Sequence, residues 1–147
     1  MLSAADIEQL AALRDICLEV GQHLGKGRSE ATYQRAITVE LQKRAIPYLT
    51  EETMTIKYKD AYVGFERLDI VTLGQVKVIL ELKTVAQIKT DHHWQVLHYL
   101  KGKEYPYGLV VNYSPTTIMI NVVVNDAAPY LFDLATNELT PVESISY

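Results

Sequence analysis

The sequence lacks what a secreted or membrane-bound chain needs. It has one cysteine, Cys17, so no internal disulfide can form. Cys17 lies on the apolar side of an amphipathic stretch, where a thiol packs rather than reacts. The matching expectation is a reducing compartment. Nowhere do about 18 apolar residues run together as a membrane span requires, and the N-terminus MLSAADIEQLAALRD places acidic residues early without an apolar run. An intracellular protein with no membrane partner is expected, cytoplasmic, or nuclear or within a viral factory if the source is eukaryotic or viral. Positive charge is also scarce: 14 Lys and Arg against 18 Asp and Glu give a net −4. That argues against coating nucleic acid by charge alone. It leaves a nuclease open, because carboxylates that hold divalent cations count as negative in a sequence that shows no metal.

What is present suits one globular domain over residues 1–147, with 48% apolar and 22% charged residues and no repeat, low-complexity segment or internal linker. From Ala4 to Leu24, Ile7, Leu10, Leu13, Cys17, Val20 and Leu24 recur at helical spacing, and the glycines of GKG stop the pattern. Ser29 can cap a second helix running to about Ala45, before Pro47 breaks it. The period then shortens. Met54, Ile56 and Tyr58 alternate with polar residues, Asp60 supplies a turn, Tyr62 to Val71 reads as a second strand, and VKVILELK is a third, apolar on both faces up to Glu81. Helical spacing returns in IKTDHHWQVLHYL, from Ile88 to Leu100, and ends at Gly102. Two strands, YGLVVNY and TIMINVVVN, follow, the first continuously apolar as in a sheet covered on both faces. The fold class is therefore α/β, in the order helix, helix, three-stranded meander, helix, two strands.

Three charged residues interrupt segments that otherwise read as buried: Asp69 in LDIV, and Glu81 and Lys83 in VILELK. Such groups are costly in a dry sheet unless paired or bound to metal. Glu81 and Lys83, two apart, share a strand face. Asp69 joins them only if the reversal near Gly74 to Val76 has an odd number of loop residues, which sets residue 69 opposite 81. Two carboxylates and a lysine on one face suit metal-assisted phosphodiester hydrolysis, with Asp69 and Glu81 offering hard oxygen ligands to Mg²⁺ or Mn²⁺ and Lys83 positioning the attacking water. The competing reading is a structural ion pair. Glu30 bears on that choice. At about 100° per residue it projects into the stripe formed by Tyr33, Ile37 and Leu41, so it is expected to face the interior, where a metal would satisfy it.

The stretch GRSEATY, Gly27 to Tyr33, resembles the G-x-x-E-x-x-Y signature that names a small family (GxxExxY) within the PD-(D/E)xK nuclease superfamily. Asp69 followed by Glu81-Leu82-Lys83 is similar to that superfamily's central D…E-x-K, with Leu68 where a proline is frequent. Gln95 and Tyr99 are similar to the Q-x-x-x-Y of its RecB-like and Cas4-like branches. The resemblance spans Val20 to about Tyr113. It implies a restriction-endonuclease-like αβββαβ core, helices flanking a central mixed β-sheet. It also implies a nuclease with Mg²⁺ or Mn²⁺ held by Glu30, Asp69 and Glu81, Lys83 serving the water, and Gln95, Tyr99 and Tyr33 on the nucleic-acid side, with DNA ahead of RNA as partner.

His92, His93 and His98 do not make a zinc site, since adjacent helical histidines diverge and no cysteine or H-E-x-x-H pattern accompanies them. The rival from another class is an inactive scaffold that kept the fold as a dimeric recruitment module. A homodimer is expected in either case, through an apolar sheet edge, for which the strand at residues 117–124 is the candidate, or through a helix face.

Overall fold

The computed structural model of the chain describes residues 2–142. Two serines start the helical half. Ser3 accepts a hydrogen bond from the Asp6 N–H to open α1 (Ala4–Leu24), and Ser29 accepts one from the Thr32 N–H to open α2 (Glu30–Lys43). After α2 come β1 (Tyr48–Tyr58), β2 (Ala61–Leu73), β3 (Lys77–Lys83), α3 (Thr90–Lys103), β4 (Tyr107–Tyr113), β5 (Ile118–Val124), β6 (Tyr130–Phe132) and β7 (Leu139–Pro141). The strands form one sheet in sequence order, β1-β2-β3-β4-β5-β6-β7. Every neighbouring pair is antiparallel except β3 and β4. That parallel step requires a crossover, and α3 supplies it.

The sheet is covered on both faces, which explains the unbroken apolar run of β4, buried at every position. On one face α1 and α2 contribute Leu10, Ile16, Tyr33, Ile37 and Leu41 against Ile70, Val78, Leu80 and Leu82. On the other, α3 contributes Val96, Leu97, Tyr99 and Leu100 against Leu68, Val71, Ile79 and Val110. Cys17 is fully buried, and burial pushes its thiol up to about 12, so it is inert packing. Among the described residues no helix is long and apolar enough to cross a membrane.

The mixed α/β architecture and the order of its first eight elements agree with the sequence reading. Two differences follow from pairing. The short strands β6 and β7 lie in a tail that carries no clear periodicity, and they exist because β5 offers them an edge; residues 143–147 lie outside the described residues. For the same reason the expected open edge at residues 117–124 is corrected. β5 lies inside the sheet, with Val122, Val123 and Val124 paired to Phe132, Leu131 and Tyr130, so this strand offers no continuous edge to a second copy.

At Gly108 the α3 helix lies so close to β4 that an added Cβ would stand 2.5 Å from Val96 Cγ1. Valine is stiff and cannot swing aside. Gly108→Ala is expected to destabilise the fold by about 1–3 kcal/mol through overpacking, read as a lower urea midpoint at unchanged slope.

Candidate active site

The site forms where the β2–β3 ladder stops. The reversal between the two strands holds three residues, Gly74 to Val76, and the ladder runs from Leu73↔Lys77 to Ile70↔Leu80. The next rung outward would be Asp69 and Glu81. It is not made, and instead the Asp69 carboxylate Oδ2 accepts the Leu82 N–H at 2.9 Å. The odd loop thus puts residue 69 opposite 81, and the parting strands let a side chain replace a backbone partner.

β2 parts from β3 because the hairpin breaks stride at this level. In the β1–β2 ladder Thr50 pairs Ile70 and Glu52 pairs Leu68, but the rung between them, Glu51 and Asp69, is missing. Glu51 has a left-handed φ of 56°, uncommon for a non-glycine residue and a local strain. Strand alternation inverts across the break. Leu68 and Met54 pack with the α3 layer, whereas Ile70 and Tyr48 pack with the α1–α2 layer. Gln34 of α2 secures the break, since its Nε2 donates to the Asp69 carbonyl and to Glu51 Oε1, both at 3.1 Å.

On β3, Val78, Leu80 and Leu82 face α1 and α2, so Glu81 and Lys83 face α3. Glu81 is 5% exposed. Its Oε1 stands 3.7 Å from Lys83 Nζ, a loose ion pair, and its Oε2 is buried with no hydrogen-bond partner. Burial first, and Asp69 second, push the Glu81 carboxyl up to about 8 despite the Lys83 ammonium. Asp69 is also raised, mainly by burial, with the Leu82 N–H opposing. Across the cleft Tyr99 is 2% exposed; its hydroxyl accepts from Gln95 Nε2 at 2.8 Å, and the Glu66 carboxylate is near enough to act on it. Burial and the Glu81 charge raise it well above the usual tyrosine range.

Asp69, Glu81, Lys83, Tyr99 and Gln95 are therefore brought to one cleft, and two expected members are not placed as foreseen. Glu30 is exposed, not interior. As the first residue of α2 it overhangs the helix end, because helical side chains lean toward the N-terminus. From the rim its charge still acts on Asp69 and Glu81. Tyr33 is 1% exposed, stacks on Tyr113 at 4.0 Å, and donates its hydroxyl to the Gly25 carbonyl at 2.6 Å. Its hydroxyl shapes the loop between α1 and α2. Among the described residues no three His, Cys, Asp or Glu side chains are arranged to hold an ion. The histidines do structural work: His92 Nδ1 accepts the Lys89 N–H at 2.9 Å, and His93 Nε2 lies 3.1 Å from Asn121 Nδ2.

Three contributors escaped the sequence reading. Gln34 follows Glu30 by four residues, the spacing that puts two side chains on one helix face, and that signal was available. Asn112 ends an apolar strand opposite Lys83. It grips the segment after β3, accepting the Val85 N–H at 3.0 Å and donating to the Val85 carbonyl at 2.9 Å. Glu51 carried no signal, since a left-handed glutamate cannot be read from its neighbours.

The residues present fit a divalent cation. A buried carboxylate with one unpartnered oxygen beside a second carboxylate is a hard-oxygen donor pair that a single lysine does not neutralise, and Mg²⁺ is commonly held by one or two carboxylates with water completing the shell. Asp69 and Glu81 would be the ligands.

Comparison with known proteins bears on the family and the fold. The family model of the PD-(D/E)XK nuclease superfamily matches residues 8–122. Among solved structures, the crystal structure of SSO0001 superposes with a TM-score of 0.54 at 18% identity, over 73% of this chain and 53% of that one. The chain thus spans about half the length of that protein, and the likeness speaks for the fold alone. Hjc of Archaeoglobus fulgidus, a Holliday junction resolvase from an archaeal hyperthermophile, gives a TM-score of 0.40 at 16% identity over 77% of this chain and 87% of that one, too distant to argue from. No curated protein matches the chain significantly.

Burial of Glu81 has a consequence for stability. Between the ordinary value of 4.5 and about 8, the folded chain binds a proton at Glu81 that the unfolded chain has released. Stability therefore falls as pH rises through that window, by at most about 1.4 kcal/mol per pH unit from this group. Glu81→Gln removes the titration. Its melting temperature minus that of the wild type is expected to grow from pH 5 to pH 8 in metal-free buffer, and a constant difference would refute the assignment.

Proposed function

The chain belongs to the PD-(D/E)XK nuclease superfamily, and from that premise we propose that it is a divalent-cation-dependent nuclease, of the GxxExxY family near the RecB and Cas4 branches, that hydrolyses phosphodiester bonds of DNA. The observation that carries this reading is the buried Glu81 Oε2 with no partner, beside Asp69 and Lys83. Nucleases of this superfamily typically use divalent ions, and Mg²⁺ or Mn²⁺ suits two carboxylates. The ion, when bound, supplies Lewis acidity toward the phosphodiester and an acidified water.

The chain's own groups do the rest. Asp69 is held in line by the Leu82 N–H, so its carboxylate is positioned before any ligand arrives. Lys83, anchored loosely to Glu81, keeps its ammonium near the reacting phosphate, where it orients the nucleophile and offsets charge growing on the phosphate oxygens. Gln95 and Tyr99 line the α3 wall and orient the strand. Glu30, at the rim, would add its negative charge to the field that holds an ion. Residues 1–147 act as one domain. The scaffold reading gives no reason for a buried carboxylate whose one ion pair is loose, because an apolar residue would be more stable there.

Calorimetry with Mg²⁺ and Mn²⁺, and cleavage assays on single- and double-stranded DNA and RNA, test the proposal. The wild type is expected to bind the ion and to gain about 2.7 kcal/mol of stability at a hundredfold excess over Kd. Glu81→Ala should lose both binding and cleavage while staying folded. Lys83→Ala should keep much of the metal shift and lose turnover, because its role lies in the chemical step. A wild type that binds neither ion, with or without nucleic acid, would favour the scaffold.

A further inference from the structure

The β1–β2 hairpin outlasts the sheet that supports it. Beyond the Thr50↔Ile70 rung its two strands pair only with each other, from Glu52↔Leu68 to Tyr58↔Ala61, with Lys59 and Asp60 as the turn. β2 runs continuously from Asp69 to Ala61, so the tip lies about 25 Å from the cleft at roughly 3.3 Å per residue. This arm is unusually rich in exposed rings. Tyr58 is 65% exposed, Tyr62 70% and Phe65 60%. Two ammonium groups lie over those rings, Lys57 Nζ at 4.8 Å from the Tyr62 centroid and Lys59 Nζ at 5.4 Å from that of Tyr58. The charge of the arm also differs from that of the body. Between Thr55 and Arg67 stand Lys57, Lys59 and Arg67 against Asp60 and Glu66, a balance of +1 in a chain of net −4.

We propose that the tip of this hairpin is a platform for single-stranded nucleic acid, holding a strand that enters or leaves the Asp69–Glu81 cleft. The proposal rests on the nuclease reading and deepens it by naming the form of the substrate. Rings and cations interleaved on a solvent-exposed ribbon match what a single strand presents, a base face for each ring and a phosphate for each ammonium. In a duplex the base faces are hidden in the stack, so the rings would have nothing to meet. An apolar protein partner would have to strip both lysines of water to reach the rings, whereas a phosphodiester strand takes rings and lysines together. The arm shares a continuous strand with Asp69, and the charge of its Glu66 is felt at Tyr99 of the cleft, so a strand lying on it is directed to the site.

The test is fluorescence anisotropy of the full chain with a labelled mixed-sequence DNA single strand and its duplex, in EDTA so that nothing is cut. The wild type is expected to prefer the single strand. Tyr58→Ala with Tyr62→Ala should weaken that binding by roughly tenfold or more and leave the duplex nearly unchanged. Tyr58→Phe with Tyr62→Phe keeps the rings and should keep the affinity. Both positions are exposed, so the melting temperature should hold in each variant. No single-strand preference in the wild type, or an unchanged affinity in the alanine variant, would overturn the proposal. So would a light-scattering mass that falls from dimer to monomer in the alanine variant, which would make the arm a contact between copies. Failure of the arm is separable from failure of the nuclease reading, because Mg²⁺ binding and cleavage by the wild type depend on Glu81 and not on the tip.

Discussion

The hydrogen bond from the Leu82 N–H to the Asp69 carboxylate stands where a backbone pair would otherwise continue the sheet. Were the β2–β3 ladder closed one rung further, that N–H would meet a main-chain carbonyl and Asp69 would have no reason to approach β3. The opening is held from the other side. Glu51 in the left-handed region costs on the order of 1–3 kcal/mol, and a strained residue persists only where its surroundings over-determine it. Gln34 does so by binding the Glu51 carboxylate and the Asp69 carbonyl with one amide. The second helix therefore holds the break in the sheet, and the break aims the carboxylate.

What the break exposes is a charge problem. Glu81 faces the α3 layer with Ile79 on the same side of β3 and Val110 on the parallel neighbour. A unit charge taken from water into such surroundings is penalised by several kcal/mol. An ammonium 3.7 Å away returns about 4 kcal/mol at an effective dielectric of 20, and the Asp69 charge subtracts from that. The sum leaves the carboxyl raised to about 8, so one lysine does not neutralise two carboxylates. A further positive charge between them reverses the sign of the balance, and that is the physical content of the metal reading.

Much of this was legible in the sequence because periodicity and burial are local. The strand period in VKVILELK, broken by Glu81 and Lys83, places both on one face whatever surrounds them, and the odd loop that sets 69 opposite 81 could be stated as a condition before the fold was seen. Glu30 was misjudged because a helical wheel has no ends: angle put it on the stripe of Tyr33, Ile37 and Leu41, but its place as first residue hangs it over the rim. The edge at residues 117–124 was misjudged because the strands that cover β5 come from a tail with no periodic signal. The break itself was invisible, since it depends on a left-handed Glu51 and a glutamine seventeen residues earlier in the chain.

The same distinction divides the G-x-x-E-x-x-Y stretch. Gly27 takes a φ of 80° that a side chain would resist. Tyr33 bonds back to the Gly25 carbonyl and stacks on Tyr113 at the end of β4, whose own hydroxyl donates to the Cys17 carbonyl in α1 at 2.7 Å. Glycine and tyrosine together fold the α1–α2 loop and fix where α2 begins. Only the glutamate between them is left facing the cleft, with Gln34 one turn later reaching the broken rung. The motif thus carries one electrostatic residue within a bracket that sets the position of the helix, and moving that helix start by even one residue would turn Gln34 about 100° away from Asp69 and release the strain that the site depends on.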